Sequence, residues 1–203
     1  FLTAGFYYKT FMWPKAFWEK LYEPIIRNSA GLGELSGKDD PDKYDKGFLH
    51  CDILIIGAGP SGLAAALAAA QAGSRVILAD EDYQMGGRLN SETFEVAGMH
   101  GAEWAKATLA ELSSMDNVRL LNRTTVLGAY DHGIYSALER KTDHLASSDI
   151  ASKSKPRQVL WRIYSKRAIL SAGSTERPIA FPNNERPGIM LAGAVRSYVN
   201  RWD

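Results

Sequence analysis

The chain has 203 residues, with 24 Lys and Arg against 23 Asp and Glu, so its formal net charge is +1 at pH 7. This balance excludes a polybasic surface as the main attraction for nucleic acid. Apolar residues make up 45% and charged residues 23%, which is typical of a globular protein and not of a disordered one. The single cysteine, Cys51, excludes an intrachain disulfide and any multi-thiolate metal site.

Aromatic side chains are dense in residues 1–33. Within them, Trp18 to Tyr22 predicts the beginning of a short helix, and Gly31-Leu32-Gly33 ends the segment. We interpret residues 1–49 as an aromatic N-terminal arm followed by a charged linker. So many rings must cover a surface, either on the arm's own domain, on a partner subunit or on another part of the chain.

Residues 53–74 carry no charge and, at 22 residues, are long enough to cross a bilayer. The sequence Gly57-Ala58-Gly59-Pro60 interrupts them, and two glycines and a proline are unfavourable inside a lipid-exposed helix. The pattern therefore predicts a buried strand, a turn and a helix. We expect a protein of the reducing cytoplasm that contacts neither membrane nor nucleic acid.

A βαβ unit follows the linker. Strands are predicted over residues 52–56 and 75–79, with a helix rich in alanine over residues 61–72. Residues 99–112 predict a second helix, and residues 118–121 predict a third parallel strand.

The rest of the chain predicts an antiparallel meander and a returning strand. Its strands are predicted over residues 125–130, 134–139, 159–164 and 167–171, and its last helix over residues 189–201. The fold class is thus α/β, a Rossmann-like FAD/NAD(P)-binding fold with a parallel sheet and a β-meander. We expect residues 50–203 to be a dinucleotide-binding domain that is cut at its C-terminal end.

The strongest motif is Gly57-Ala58-Gly59-Pro60-Ser61-Gly62, a G-x-G-x-x-G sequence between an apolar strand and a helix. Gly57 permits the tight turn, Gly59 lets the backbone approach a pyrophosphate, and Gly62 lets the helix lie close to the strand. The phosphates then bind the helix N-terminus, where N–H groups are free, and Pro60 removes no helical hydrogen bond there. Ser61 lies in the same first turn.

Two other glycine motifs are rejected at the same place. A Walker loop would need Lys and Ser or Thr where the chain has Leu63 and Ala64. A nucleophile elbow around Ser61 would need glycine where the chain has Leu63.

Asp80 ends the second predicted strand, 23 residues after Gly57. A carboxylate there accepts hydrogen bonds from adenosine ribose hydroxyls and repels a 2′-phosphate, so the position favours NAD or FAD over NADP. Glu81 could share this role. The following Gly86-Gly87-Arg88 suggests a second backbone approach to the dinucleotide.

Another candidate is the predicted strand end Ser171-Ala172-Gly173, where Gly173 would pass beside the cofactor as a similar Ala-Thr-Gly does in flavoproteins with two dinucleotide folds. The four histidines are scattered without metal-ligand spacing. We predict no metal site and no catalytic residue in this chain.

Three segments resemble the α subunits of heterotetrameric sarcosine oxidases. The first is the aromatic stretch 4–14. The second consists of residues 22–27 and 30–33, and the third of the motifs at residues 176–178 and 183–191. The resemblance covers essentially the whole chain, and these stretches are more specific than the glycine fingerprint.

The resemblance implies a subunit of a bacterial α-β-γ-δ flavoenzyme that demethylates sarcosine to glycine. FAD would bind in the β subunit and FMN at the α/β interface, oxygen would be reduced to hydrogen peroxide, and tetrahydrofolate would take the one-carbon unit. The implied partners of this chain are the β, γ and δ subunits and the remainder of the α chain.

The resemblance also implies that this dinucleotide fold holds NAD. The pyrophosphate contacts would fall on Gly57, Gly59, Ser61 and Gly62, and the ribose contacts on Asp80 and Glu81. Arg88 would neighbour a phosphate or ribose, and Val126 would lie by the adenine.

Two alternatives stay open. The chain could belong to an FAD-binding α subunit of a related amino-acid or opine dehydrogenase. It could also be a non-catalytic module in which a bound nucleotide acts as a fixed brace for subunit assembly.

Overall fold

The computed structural model describes residues 14, 16–31, 33, 35–146, 149 and 154–202. Two compact units divide the chain, Phe1–Pro41 and Asp42–Asp203. Most of the aromatic residues of the predicted arm lie outside the described residues, since residues 1–13 are among those not described.

The first unit contains a π-helix, Trp18–Tyr22, which continues directly into the helix α1, Glu23–Ser29. Pro24, the second residue of α1, lies next to the junction between the two helices. Both helices are described in full, and none of their residues is buried. The structure thus contains the short helix that was predicted from Trp18 to Tyr22 onward.

The described residues of the second unit form eight strands. They are β1 Tyr44–Ile56, β2 Val76–Ala79, β3 Glu95–Val96, β4 Met99–His100, β5 Val118–Leu121, β6 Thr124–Tyr130, β7 Ile134–Arg140 and β8 Gln158–Leu170. Six of them form one sheet in the order β5-β2-β1-β8-β7-β6, and β3 pairs with β4 in a separate antiparallel ribbon. The predicted domain boundary between residues 49 and 50 falls within β1.

The large sheet is parallel from β5 to β8 and antiparallel from β8 to β6. Strands β1 and β8 have 13 residues each and pair along their whole length, so both belong to the parallel sheet and to the meander. The second half of β1 pairs with β2, in a register that sets Ile53 opposite Val76.

One strand prediction is wrong. Residues 159–164 and 167–171 were expected as two strands, but β8 runs through both without a break. Lys166 lies between the two predicted strands, but it is exposed and its Nζ lies 2.8 Å from Asp52 Oδ1 on β1. An ion pair on the sheet surface leaves the backbone free to continue the ladder.

The described part of the second unit also contains the helices α2 Pro60–Gln71, α3 Gly101–Ser113 and α4 Ala192–Asn200, and short 3₁₀ turns at Gly87–Asn90 and Asp131–Gly133. Helix α3 begins two residues later than predicted because Met99–His100 pairs with β3. None of the helices within the described part of the chain has both the length and the apolar character needed to cross a membrane.

Two apolar clusters cover the two faces of the parallel sheet. The cluster on the side of the helices includes Ile55 and Leu78 of the sheet, Leu63 of α2 and Leu112 of α3. On the other side, Leu54, Ile77, Ala79 and Leu121 pack against Leu49, Ala137 and Ile163 of the meander. Burying one such leucine or isoleucine stabilises the fold by about 1.5–3 kcal/mol. Helix α2 and the meander are thus fixed on opposite faces, next to the carboxyl ends of β1 and β2.

Candidate functional site

The carboxyl ends of β1, β2 and β8 open into a cleft of about 760 Å³. In parallel sheets, ligands bind outside these strand ends. The residues that line the cleft are Ile56, Gly57, Gly59, Pro60, Ser61, Ala79, Asp80, Glu81, Asp82, Gly87, Arg88, Glu92, Phe94, Thr124, Thr125, Val126, Ser171, Ala172, Gly173, Ser174 and Thr175.

The floor of the cleft is the glycine turn between β1 and α2. Gly57 has φ +100°, and a Cβ there would overlap the carbonyl of Ser171. A Cβ at Gly62 would overlap the carbonyl oxygen of Gly57, so α2 can approach the strand end only because residue 62 is glycine. Glycine is therefore needed at both positions, because a Cβ at either would overlap the backbone of this chain.

Gly59 differs from its two neighbours in the motif. It is the N-cap of α2, in an extended conformation with φ −73° and ψ −173°, and a Cβ there would meet nothing within 4 Å. The space beside Gly59 is therefore open to the cleft. The first-turn N–H groups of Ser61 and Gly62 have no partner within the helix, and the helix dipole favours an anion at this end.

Asp80, which follows β2, contacts the glycine turn between β1 and α2. Its Oδ2 accepts the Ala58 N–H at 2.6 Å and its Oδ1 accepts the Asp82 N–H at 2.9 Å. A carboxylate has about four lone-pair positions, so two backbone donors leave each oxygen able to accept another hydrogen bond. Asp80 thus fixes the glycine turn and still presents an acceptor to a ligand.

The two acidic residues that follow Asp80 are each held by an arginine. The Glu81 carbonyl accepts from Arg140 Nη2 at 2.6 Å. Asp82 accepts two bonds from Arg201, at 2.8 and 3.0 Å. Burial raises the pKa of Asp82, but the hydrogen bonds and charge of Arg201 outweigh it and hold that pKa below its usual value.

The predicted glycine pair is close to the fingerprint. Gly86 donates its N–H to the Ala58 carbonyl at 2.9 Å, and a Cβ at Gly87 would come within 2.9 Å of Gly59 Cα. Gly86 and Gly87 have φ of +133° and +54°, which favours glycine at both positions. The pair therefore supports the loop beside Gly59.

Arg88 supplies a positive charge beside the cleft, and its side chain is 62% exposed. Its Nε lies 3.9 Å from Glu92 Oε1, whereas Arg196 Nη1 lies 3.0 Å from the same oxygen. Arg88 thus makes the longer of the two contacts to Glu92, and its exposed guanidinium lies at the cleft.

Ten of the twelve predicted cofactor residues line this one cleft, and Val126 and Gly173 lie on its far walls. Gly62 and Gly86 do not line it and act from behind, as described above. Apart from the strand residues Ile56 and Ala79 and the predicted strand end Ser171-Ala172, sequence reasoning missed seven lining residues, which are Asp82, Glu92, Phe94, Thr124, Thr125, Ser174 and Thr175. A signal existed for Asp82, the last of three consecutive acidic residues, and for the threonines, which follow the third parallel strand.

Comparison with known proteins relates this chain to flavoenzymes. Residues 52–129 match the FAD dependent oxidoreductase family. Over 202 residues the chain is 52% identical to the sarcosine oxidase subunit alpha of Rhizobium meliloti, a match that covers 100% of this chain and 20% of the relative. The chain is related to sarcosine oxidase α subunits. The predicted resemblance is confirmed.

Two further matches agree. The sarcosine oxidase subunit alpha of Corynebacterium sp. strain P-1 is 47% identical over 84% of this chain and 18% of the relative. The solved structure of L-proline dehydrogenase from P. horikoshii has a TM-score of 0.61 and 21% identity, over 82% of this chain and 31% of that chain. The structural match confirms the Rossmann-like α/β fold. The chain spans about a fifth of the length of the sarcosine oxidase relatives.

Proposed function

We propose that the second unit binds the ADP half of a dinucleotide in the cleft. The observation that carries this proposal is the open backbone at Gly59, which lies between the free N-terminus of α2 and the Asp80 carboxylate. The helix terminus would bind the pyrophosphate, and Asp80 would accept the adenosine ribose hydroxyls. Val126 would contact the adenine, and Arg88 would neutralise phosphate charge.

We further propose that this dinucleotide is NAD, with FAD as the second candidate. NAD and FAD share the ADP half, and the residues described above contact only that half. The resemblance to sarcosine oxidase α subunits supports NAD, whereas the match of residues 52–129 to FAD dependent oxidoreductases favours FAD. Either group, when bound, brings a ring that can accept or donate a hydride.

For the whole protein we propose an α subunit of a multi-subunit oxidase that demethylates sarcosine to glycine. Its relatives are named as sarcosine oxidase subunits, which supports the reaction and the need for further subunits. The proposed partners are the β, γ and δ subunits, with FMN and tetrahydrofolate bound elsewhere in the assembly. We propose that the assembly works in the cytoplasm.

The test is mass spectrometry of the nucleotide released on denaturing the full-length α subunit. Release of NAD, without flavin absorbance near 450 nm, is the expected result. FAD in its place would support the second candidate. The matched control is Gly59→Val, which should lose the nucleotide because its side chain would fill the space beside the helix terminus. Full retention of nucleotide by this variant would contradict the proposed cleft.

A further inference from the structure

We propose that Arg201 is a positioning residue for the ribose-binding carboxylate Asp80, acting through Asp82. The inference rests on the proposed dinucleotide site and goes beyond it, because Arg201 is 121 positions away in sequence from the carboxylate that it would serve. It assigns a specificity role to the residue that follows helix α4.

The first step is the contact between Arg201 and Asp82. Two parallel hydrogen bonds, Nη1 to Oδ2 at 2.8 Å and Nη2 to Oδ1 at 3.0 Å, join the guanidinium to the carboxylate. The Arg201 side chain is only 11% exposed. A two-bond pair of this kind fixes the orientation of both groups, which a single contact from lysine cannot do.

The second step runs from Asp82 to Asp80. The Asp82 N–H donates to Asp80 Oδ1 at 2.9 Å, and the Asp82 carbonyl accepts the Arg123 N–H at 2.9 Å. The peptide groups of Asp82 are therefore held on both sides. Because the side chain of Asp82 is also fixed by Arg201, its N–H is held in place toward Asp80.

The third step is the support around the guanidinium. Arg201 lies over the ring of Tyr83, 5.1 Å from its centroid, and 5.2 Å from the centroid of Trp202. Arg140 holds the intervening Glu81 by its carbonyl. Two successive residues of the acidic stretch 80–82 are thus held in place. Arg140 holds Glu81 and Arg201 holds Asp82, and the two arginines come from distant parts of the chain.

The consequence concerns the ribose. Asp80 must aim its remaining lone pairs into the cleft while its Oδ2 holds the Ala58 N–H. If Asp82 were released, Asp80 could rotate, and the bonds to the ribose hydroxyls would weaken before those to the pyrophosphate. Arg201 therefore sets recognition of the ribose and not general affinity for phosphate.

The experiment compares ADP with 2′-deoxy-ADP on the full-length subunit stripped of its nucleotide, by calorimetry. A hydrogen bond to a charged group discriminates by about tenfold or more, so the unaltered subunit should prefer ADP by that factor. Arg201→Lys and Asp82→Asn should reduce the preference to about threefold or less, through weaker ADP binding. The control is Arg75→Lys, which weakens a two-bond pair with Asp52 at the opposite end of β2 and should keep the preference.

Equal losses for both nucleotides, or an unchanged preference in both variants, would overturn the inference while leaving the dinucleotide site intact. Failure of both variants to fold, seen by circular dichroism, would also overturn it, in favour of a purely structural role. Absence of any adenine nucleotide binding by the unaltered subunit would instead overturn the proposed function.

Discussion

At the scale of single residues, the three glycines of the fingerprint do different things. Gly57 and Gly62 are required by other atoms of the chain, since a Cβ at either would overlap a backbone carbonyl. Gly59 faces open space and would be required only by a ligand. A single motif thus contains both residues that fix the fold and a residue that leaves room for the ligand.

Substitution by alanine should separate these roles. Gly62→Ala should lower the free energy of unfolding by about 3 kcal/mol, because α2 must move away from the Gly57 carbonyl. Gly59→Ala should change it by less than about 0.5 kcal/mol but weaken ADP binding at least about tenfold. Urea unfolding without nucleotide and calorimetry with ADP measure the two effects. Equal stability of the two variants would contradict this division.

The same residues explain how far sequence reasoning reaches. The fingerprint and Asp80 are readable because local chemistry demands them, as a turn, a helix start and a strand end at fixed spacing. Arg201 gave no such signal, because it meets the site only through long-range packing against the loop after β2. Contacts between distant segments leave no periodicity in the sequence.

At the scale of elements, the central strands were predicted as a parallel βαβ unit, and the third parallel strand was predicted with its observed bounds. The full length of β1 was not predicted, because only its second half is an apolar run, and β8 was predicted as two shorter strands. The first halves of β1 and β8 alternate between buried and exposed residues, as a meander strand does. Each strand therefore mixes two patterns, which period-based reasoning treats as separate elements.

Helix α2 ends with help from another element. The side-chain amide of Asn117, just before β5, donates to the carbonyls of Ala70 and Ser74 at 2.9 and 2.8 Å. These carbonyls lie at and beyond the C-terminus of the helix, and the Ala70 carbonyl also accepts the Gly73 N–H at 2.9 Å. One side chain thus links the end of α2 to the start of β5.

Asn117→Ala should lower the free energy of unfolding by about 1–2 kcal/mol, since it leaves two partly buried carbonyls without that donor. The control is Gln71→Ala, which removes an exposed hydrogen bond to Glu111 and should cost less than about 0.5 kcal/mol. Urea unfolding of both variants measures the difference. Similar costs would mean that Asn117 is not a cap of α2.

At the scale of the whole second unit, three described aspartates have a lowered pKa and pair with basic residues elsewhere in the chain. Asp52 of β1 pairs with Arg75 and Lys166, Asp82 pairs with Arg201, and Asp143 pairs with Arg157. Arg75 and Lys166 hold the pKa of Asp52 well below its usual value. For Asp143, burial raises the pKa, but bonds from Gln158 and Arg157 outweigh it and the pKa is lowered.

These shifts predict loss of stability in acid. Because the pKa of each aspartate is lower in the folded chain than in the unfolded chain, its contribution is fully present above the usual value of 3.8 and is lost as the pH falls through the lower, folded value. The urea midpoint should therefore decrease steadily from about pH 5 towards pH 2.

Asp82→Asn should lower the urea midpoint at pH 7 and make its decrease in acid shallower, since the variant has one fewer carboxylate to protonate. The control is Asp116→Asn, at an exposed position before β5, which should leave the slope unchanged. Urea unfolding at half-unit steps from pH 7 to pH 2 measures both curves. Parallel curves for the unaltered protein and Asp82→Asn would show that the Arg201 pair, although nearly buried on the arginine side, contributes nothing to the acid sensitivity of the fold.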